Sequence, residues 1–301
     1  MKPRRSTSIV ALLIILALSV SACRRNPQGE AAASTGPQAE LPPRSLFGVA
    51  LRPQARQLVA EIESHYGRRV REEMKSNLDY SYYAALSSVD TDGTPTIRMD
   101  ADVPPTEATI VHELSHIKLY AKGFPVIRLN YPHSWTRERQ QAHVRYVVAM
   151  VYDAIIHTII YPEVRRMDLK PDEPLHSQME LIMADEFADY PGVPRQDVRT
   201  IFYLNAALLL EDREFFERVT DAYMTRHWYE SVAIGRVIAD MVTAAKPSTP
   251  EEVIFILLRS LEVIQHDMNH FELDYWETEK RGEHPLRRAV IKVIPQQKGG
   301  R

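Results

Sequence analysis

The stretch "TIVHELSHIKLY", residues 109–120, decides the fold and the chemistry that we expect of this chain. Residues four apart on a helix lie on one face, so the rings of His112 and His116 would project toward one point. Glu113 borders that face. The sequence therefore predicts a helix with a polar site on one side and an apolar core face on the other, formed by Ile110, Leu114, Ile117 and Ala121.

Two histidines at this spacing, with a glutamate after the first, are typical of a metal site. Imidazole nitrogens bind zinc at about 2.0–2.1 Å, and in zinc hydrolases a carboxylate at the position of Glu113 accepts a proton from water at the metal. The alternative is a solvated histidine pair with a salt-bridging glutamate. We therefore expect one Zn²⁺ ion held by His112 and His116, with Glu113 as the catalytic base.

"HELSH" on a helix that follows a predicted strand resembles the zincin metallopeptidases. The resemblance implies a zincin-like fold and hydrolysis of a peptide bond in a peptide or protein substrate. It also implies that "TPTIRMD", residues 94–100, would pair with the substrate backbone as an added strand. The chain departs from the longer metzincin motif, because Leu119 stands at the position of its glycine and Lys122 at that of its third histidine.

The third metal ligand must therefore come from elsewhere, since a catalytic zinc site has three protein ligands and one open position. Asp153 and His157 lie four apart in the otherwise apolar segment 144–164, where ionisable side chains need a reason. We expect His157 to be the third ligand and Asp153 to be its hydrogen-bonding partner, or the ligand in its place. The alternative is an Asp–His pair that satisfies itself in a core helix.

Weaker candidates lie in other segments. Asp185, Glu186 and Asp189 crowd together but also fit a solvated acidic helix end. His266 and His270 are four apart and lack a base in the right place, and His133 and His143 fit surface or core polar positions. The sequence does not choose among four possible donors to the oxyanion, which are Tyr120, Tyr131, Arg128 and His133.

The surrounding pattern predicts an α+β fold that is mostly helical. Residues 80–89 and 94–103 read as a β-hairpin with Asp92-Gly93 at its turn, and the second strand could be an edge strand because Pro95 begins it. Residues 68–75 are ambiguous between strand and helix. Helices are expected from Pro53 to about Gly67, then after Pro104–Pro105 to about Gly123, and at about 135–160, 175–189, 196–210, 212–225, 227–245 and 249–280.

The N-terminus indicates export. A basic start and a short apolar run are typical of a signal peptide, here residues 1–22. "VSAC" resembles the lipobox of bacterial lipoproteins, which implies lipidation of Cys23, the only cysteine. By the same resemblance, Arg24 after it implies the outer membrane, facing the periplasm. Residues 23–52 would be a flexible tether, residues 53–293 one domain that could divide near 125–135, and residues 294–301 a frayed tail.

Composition narrows the function. The formal net charge is −3 and there is no long basic run, so we expect no nucleic-acid partner. The leading hypothesis is a lipid-anchored zinc metallopeptidase of the cell envelope. The alternatives are a scaffold that uses its metal only for stability and a hydrolase that cleaves amides of the cell wall.

Overall fold

The computed structural model describes residues 42–76, 85–132, 135, 138–187, 190, 192–265 and 269–295. The described residues lie within one compact unit, Leu41–Arg301. The signal peptide, Cys23 and most of the tether lie outside the described residues. The ordered fold begins before position 53, because β1 (Ser45–Leu46) and β2 (Val49–Ala50) form a small antiparallel sheet with Leu46 buried.

The first half of the fold is a helix and a three-stranded sheet. Helix α1 (Pro53–Tyr66) precedes β3 (Arg71–Lys75), β4 (Ala85–Val89) and β5 (Pro95–Asp100). The predicted hairpin is confirmed, since β4 and β5 are antiparallel, and the ambiguous segment is strand β3, parallel to β5.

The strand order β3-β5-β4 corrects one expectation about substrate binding. Strand β5 is central, because hydrogen bonds to β3 and β4 occupy both of its sides. Residues 94–100 therefore have no free edge with which to bind a substrate backbone. Among the strands that the structure describes, β4 is the edge strand that packs beside the next helix.

The helical prediction holds through most of the chain. The helices are α2 (Glu107–Ala121), α3 (Glu138–Arg165), α4 (Glu173–Ala184), α5 (Arg195–Leu209), α6 (Arg213–Thr225), α7 (Tyr229–Ala245) and α8 (Pro250–Ile264). Side chains of Thr106, Asp212 and Thr249 cap the starts of α2, α6 and α8. The chain is 54% helical with small sheets, which confirms the α+β class.

The prediction of helix as far as residue 280 is wrong. Strands β7 (Asn269–Arg281) and β8 (His284–Pro295) form a hairpin after α8, and β8 lies between β7 and β6 (Val126–Asn130). Pairing on both sides satisfies the backbone of β8 while Val290, Ile291 and Val293 are buried. This long-range pairing overrides local helix preference, and it extends the ordered chain past position 293.

Helix α3 contacts several other helices of the fold. Within the described part of the chain, its segment Gln141–Arg165 is the one helical stretch long and apolar enough to cross a membrane by length and composition alone. More than half of its most apolar window is buried in the protein, where α3 packs against α2, α5 and α8. These contacts are those of a core helix, and they hold α3 against the HELSH helix.

A half-buried carboxylate, that of Asp90, stabilises the β4–β5 hairpin through four hydrogen bonds. Asp90 accepts hydrogen bonds from Arg71 and Thr96 on one oxygen, at 2.9 and 2.8 Å, and from Arg98 and Ser88 on the other, at 2.8 and 3.2 Å. Burial alone would raise the pKa of Asp90. The bonds from Arg98, Thr96 and Ser88, with the charge of Arg98, outweigh burial and hold that pKa below its ordinary value.

We predict that Asp90→Asn lowers the free energy of unfolding by about 1–2 kcal/mol at neutral pH, because charge-assisted bonds are lost. A carboxyl with a lowered folded-state pKa stabilises the fold above its unfolded pKa, and that contribution disappears as the pH falls through the folded value. Urea unfolding at pH 7 and at about pH 3 should show the difference between wild type and variant shrinking in acid. Asp102→Asn, at an exposed turn position, is the control, and a difference independent of pH would contradict this account.

Candidate metal centre

The candidate site forms where α2 and α3 cross. The apolar face of α2 is packed as expected, with Ile110, Leu114 and Ile117 fully buried. Lys118 donates a hydrogen bond to Glu163 at 2.6 Å and so ties the end of α2 to α3. Apolar packing and this ion pair bring the polar faces of the two helices together at the floor of a cleft.

Three histidines converge where α2 packs against α3, and two of them, His112 and His157, line the cleft. The Nε2 atoms of His112 and His116 lie 3.2 Å apart, and those of His116 and His157 lie 3.3 Å apart. The ligating atoms of all three lie within 4.8 Å of one another, close enough to hold a metal ion. The structure thus brings together the three residues that the sequence predicted as ligands, from α2 and α3.

The spacing and the protonation state of the rings suit a metal ion. Two nitrogens bound tetrahedrally to zinc at about 2.0–2.1 Å lie about 3.3–3.4 Å from each other, close to the separations observed. Burial lowers the pKa of His157 to about 3. Burial, with the neighbouring histidines, also holds the pKa values of His112 and His116 well below the ordinary range. Neutral imidazoles offer the lone pairs that a metal ion needs.

Asp153 stands on the inner side of the histidine cluster. Its Oδ1 lies 3.4 Å from Nε2 of His157 and 4.0 Å from Nε2 of His116. A carboxylate that oriented His157 from outside would bond Nδ1 instead. Asp153 therefore lies on the Nε2 side of His157, and its two predicted roles, metal ligand or hydrogen-bonding partner of His157, both stay predictions. Burial raises the pKa of Asp153 to about 7.

Glu113 borders the same floor and is 7% exposed. Its Oε1 lies 4.0 Å from Nε2 of His112, and the hydroxyl of Ser87 on β4 donates a hydrogen bond to it. Burial raises the pKa of Glu113 to about 8; the Ser87 bond lowers it and nearby Asp153 raises it. A divalent cation beside these carboxyls would favour their ionised forms.

Two residues that sequence reasoning missed contribute to the site. Ser87 carried no local signal, because only the packing of β4 beside α2 brings it to Glu113. Tyr161 had a signal, since it lies one turn after His157 on the same face of α3. Its ring stacks on His157 with centroids 5.0 Å apart, and it lines the cleft.

The cleft above the floor has a volume of about 370 Å³, within the range of small-ligand sites. Its floor is formed by His112, Glu113, Asp153 and His157. Its walls come from the start of α2, from α3 and from α4 and α5.

The weaker ligand candidates lie elsewhere. Asp185 ends α4 and pairs with Arg195 and Arg199 at 3.2 and 3.1 Å, and Glu186 is exposed. His143 pairs with Asp197 at 2.5 Å in a separate buried network. His270 is half-buried and lies beside Glu262 and Glu272. Asp189, His266 and His133 lie outside the described residues.

Three candidate oxyanion donors can be placed, and none of them lines the cleft. Arg128 pairs with Glu277, and the hydroxyl of Tyr131 donates to the carbonyl of Gln141. Burial raises the pKa of Tyr120 above the ordinary range. Tyr161 is better placed than any of these for contact with a bound molecule.

Comparison with known proteins does not assign the chain to a family. No family model, no curated protein and no solved structure matches the chain. The arrangement of His112, His116 and His157 as a cluster able to bind a metal ion therefore rests on the geometry of the chain itself.

Proposed function

We propose that this protein is a zinc-dependent hydrolase that cleaves peptide bonds, with a zincin-like arrangement of its active site. The observation that carries the proposal is the convergence of three histidine side chains beside a buried glutamate, with His112, Glu113 and His157 lining a cleft. Three histidines leave a fourth coordination position, as catalytic zinc sites require. His112, His116 and His157 would hold the ion.

The reaction assigns one role to each neighbouring side chain. A bound zinc ion supplies a Lewis acid that polarises the scissile carbonyl and acidifies the attacking water. Glu113 accepts a proton from that water and passes it to the departing amide nitrogen, as a C–O bond forms and the C–N bond breaks. Ser87 orients the carboxyl of Glu113, and the hydroxyl of Tyr161 stabilises the developing oxyanion.

Strand β4 is positioned to bind the substrate backbone. It is an edge strand in the described sheet, it packs beside α2, and its Ser87 reaches the proposed base. A peptide added along this edge would extend the sheet by main-chain hydrogen bonds and would lie over the cleft floor. The N-terminal sequence adds the proposal that the enzyme is lipid-anchored through Cys23 in the bacterial envelope, facing the periplasm.

Asp153 supports a second candidate function. Its carboxylate faces the same point as the three imidazoles, so it could complete a four-ligand shell. A metal held by four protein ligands stabilises a fold and has no position for water or substrate. The protein would then be an envelope scaffold. Metal loading of variants separates this candidate from the hydrolase.

We predict that His157→Ala weakens zinc binding by more than about 100-fold, because a direct ligand contributes more than the outer partners whose loss costs about 10- to 100-fold. Metal analysis after dialysis against a chelator series measures this loss. His270→Ala, at a half-buried histidine outside the cluster, should retain one zinc ion per chain.

Asp153→Asn distinguishes the open site from the closed one. In an open site held by three histidines, this variant keeps its zinc to within about tenfold, since an outer contact is lost but no ligand. Loss of zinc as severe as in His157→Ala would instead show that Asp153 is a ligand and would favour the scaffold.

We predict that Glu113→Gln retains zinc and lowers kcat/KM for peptide hydrolysis by about 10²–10⁴-fold, since a general base typically contributes that much. The assay uses quenched fluorescent peptides, with cell-wall muropeptides in parallel to test the alternative amide substrate. Glu173→Gln replaces another carboxyl of the cleft lining and should leave kcat/KM within about threefold of wild type. Hydrolysis by Glu113→Gln at the wild-type rate would remove Glu113 from the role of base.

A further inference from the structure

One side of the cleft is an apolar chamber that the proposed chemistry does not use. We give this name to the part of the cleft lined by the apolar side chains of Ala108, Met150, Leu175, Phe202 and Leu209. Leu175, Phe202 and Leu209 are buried, and Ala108 and Met150 are half-buried. The wall combines the first turn of α2 with α3, α4 and α5, so it is built by the packing of the helical half.

The chamber adjoins the metal centre directly. Met150 lies one turn before Asp153 and two turns before His157 on α3, and Ala108 lies one turn before His112 on α2. Residues at these spacings share a helix face. A group bonded to an atom held at the histidines would therefore reach the chamber by extending along the two helices.

The charges around the chamber favour an apolar occupant. Apart from the residues of the floor, the charged side chains of the described lining are Lys170 and Glu173, both exposed at the rim and of opposite sign. Asn205 is a buried polar residue of the cleft lining, and its side-chain amide already donates to the carbonyl of Ile201 at 3.0 Å. A charged side chain in the chamber would lose water without gaining a partner there.

We propose that the chamber is a specificity site that selects peptides with a bulky apolar side chain, of the Phe or Leu class, next to the cleaved bond. The inference rests on the proposed peptidase function and names its substrate class. Burying such a side chain, in place of Ala, in an apolar pocket corresponds to about 10- to 100-fold in affinity or in kcat/KM.

The test compares peptides that differ at one position, carrying Phe, Leu, Ala or Lys beside the scissile bond. The zinc-loaded full-length protein should cleave the Phe and Leu peptides with kcat/KM at least tenfold above the Ala and Lys peptides. Ala108→Phe fills the chamber from a half-buried position and should lower kcat/KM for the Phe peptide by at least tenfold. The Ala peptide should change by less than about threefold.

Two controls keep the result specific. Ala245→Phe makes the same substitution at the exposed end of α7, outside the cleft lining, and should change neither peptide. Ala108→Leu adds less volume and should give a smaller change of the same kind, in case the Phe variant does not fold. Zinc content and thermal unfolding establish that each variant is intact.

Equilibrium binding of the same peptides to zinc-loaded Glu113→Gln separates this inference from the proposed function. One outcome is that the wild-type protein cleaves none of the four peptides, while Glu113→Gln binds the Phe peptide at least tenfold more tightly than the Ala peptide. This outcome would support the specificity site and contradict the peptidase function. Cleavage of all four peptides at equal rates overturns the chamber and leaves the peptidase. Equal slowing of every peptide by Ala108→Phe also overturns the chamber, and neither cleavage nor selective binding overturns both.

Discussion

The candidate metal centre depends on the convergence of three histidine rings where α2 packs against α3, with His157 buried and His112 and His116 half-buried. The Nε2 atoms of His112 and His116 lie 3.2 Å apart and those of His116 and His157 lie 3.3 Å apart, so the lone pairs of neutral rings would point toward a common centre. A metal ion bound there would satisfy all three nitrogens at once. The surrounding packing holds them in place, because rigid backbones with fixed side-chain directions bring ligands to one point more accurately than loops do.

The carboxyl groups of Glu113 and Asp153 both lie beside the histidine cluster. Glu113 approaches from the side of β4 and is held by Ser87, and Asp153 approaches from α3, 3.4 Å from His157. In water such groups would ionise freely, whereas here burial raises both pKa values and couples both carboxyls to any cation that binds. The difference between an open catalytic site and a closed structural one therefore depends on a single side chain, that of Asp153.

The C-terminal hairpin connects the β6-β8-β7 sheet to the β3-β5-β4 sheet. Strand β8 pairs with β6, the strand that follows α2, and the tip of the hairpin meets the β4–β5 turn, where Gly282 donates a hydrogen bond to the carbonyl of Thr91 at 3.0 Å. Gly282 has a φ of +57°, and a Cβ there would overlap the carbonyl oxygen of Asp92. Glycine permits this close backbone contact, so the end of the chain supports the strand that orients Glu113.

The local sequence was sufficient to predict those features of the site that depend on the geometry of a single helix. The i, i+4 spacing of His112 and His116, the apolar stripe behind them and the isolated pair Asp153 and His157 predicted the helices and the three clustered histidines, because helical geometry fixes which side chains share a face. Tyr161 was accessible to the same reasoning.

The rest depended on contacts between distant segments, which local patterns do not encode. Only the fold placed Asp153 on the inner side of the cluster, made β5 central and β4 an edge strand, and brought Ser87 to Glu113. The strand β8 could not be read from residues 284–295 alone, since its pairing with β6 spans more than half of the chain. The sequence by itself determined which side chains each helix presents, and the tertiary structure decided what they face, because long-range packing sets the relative positions of the helices and strands.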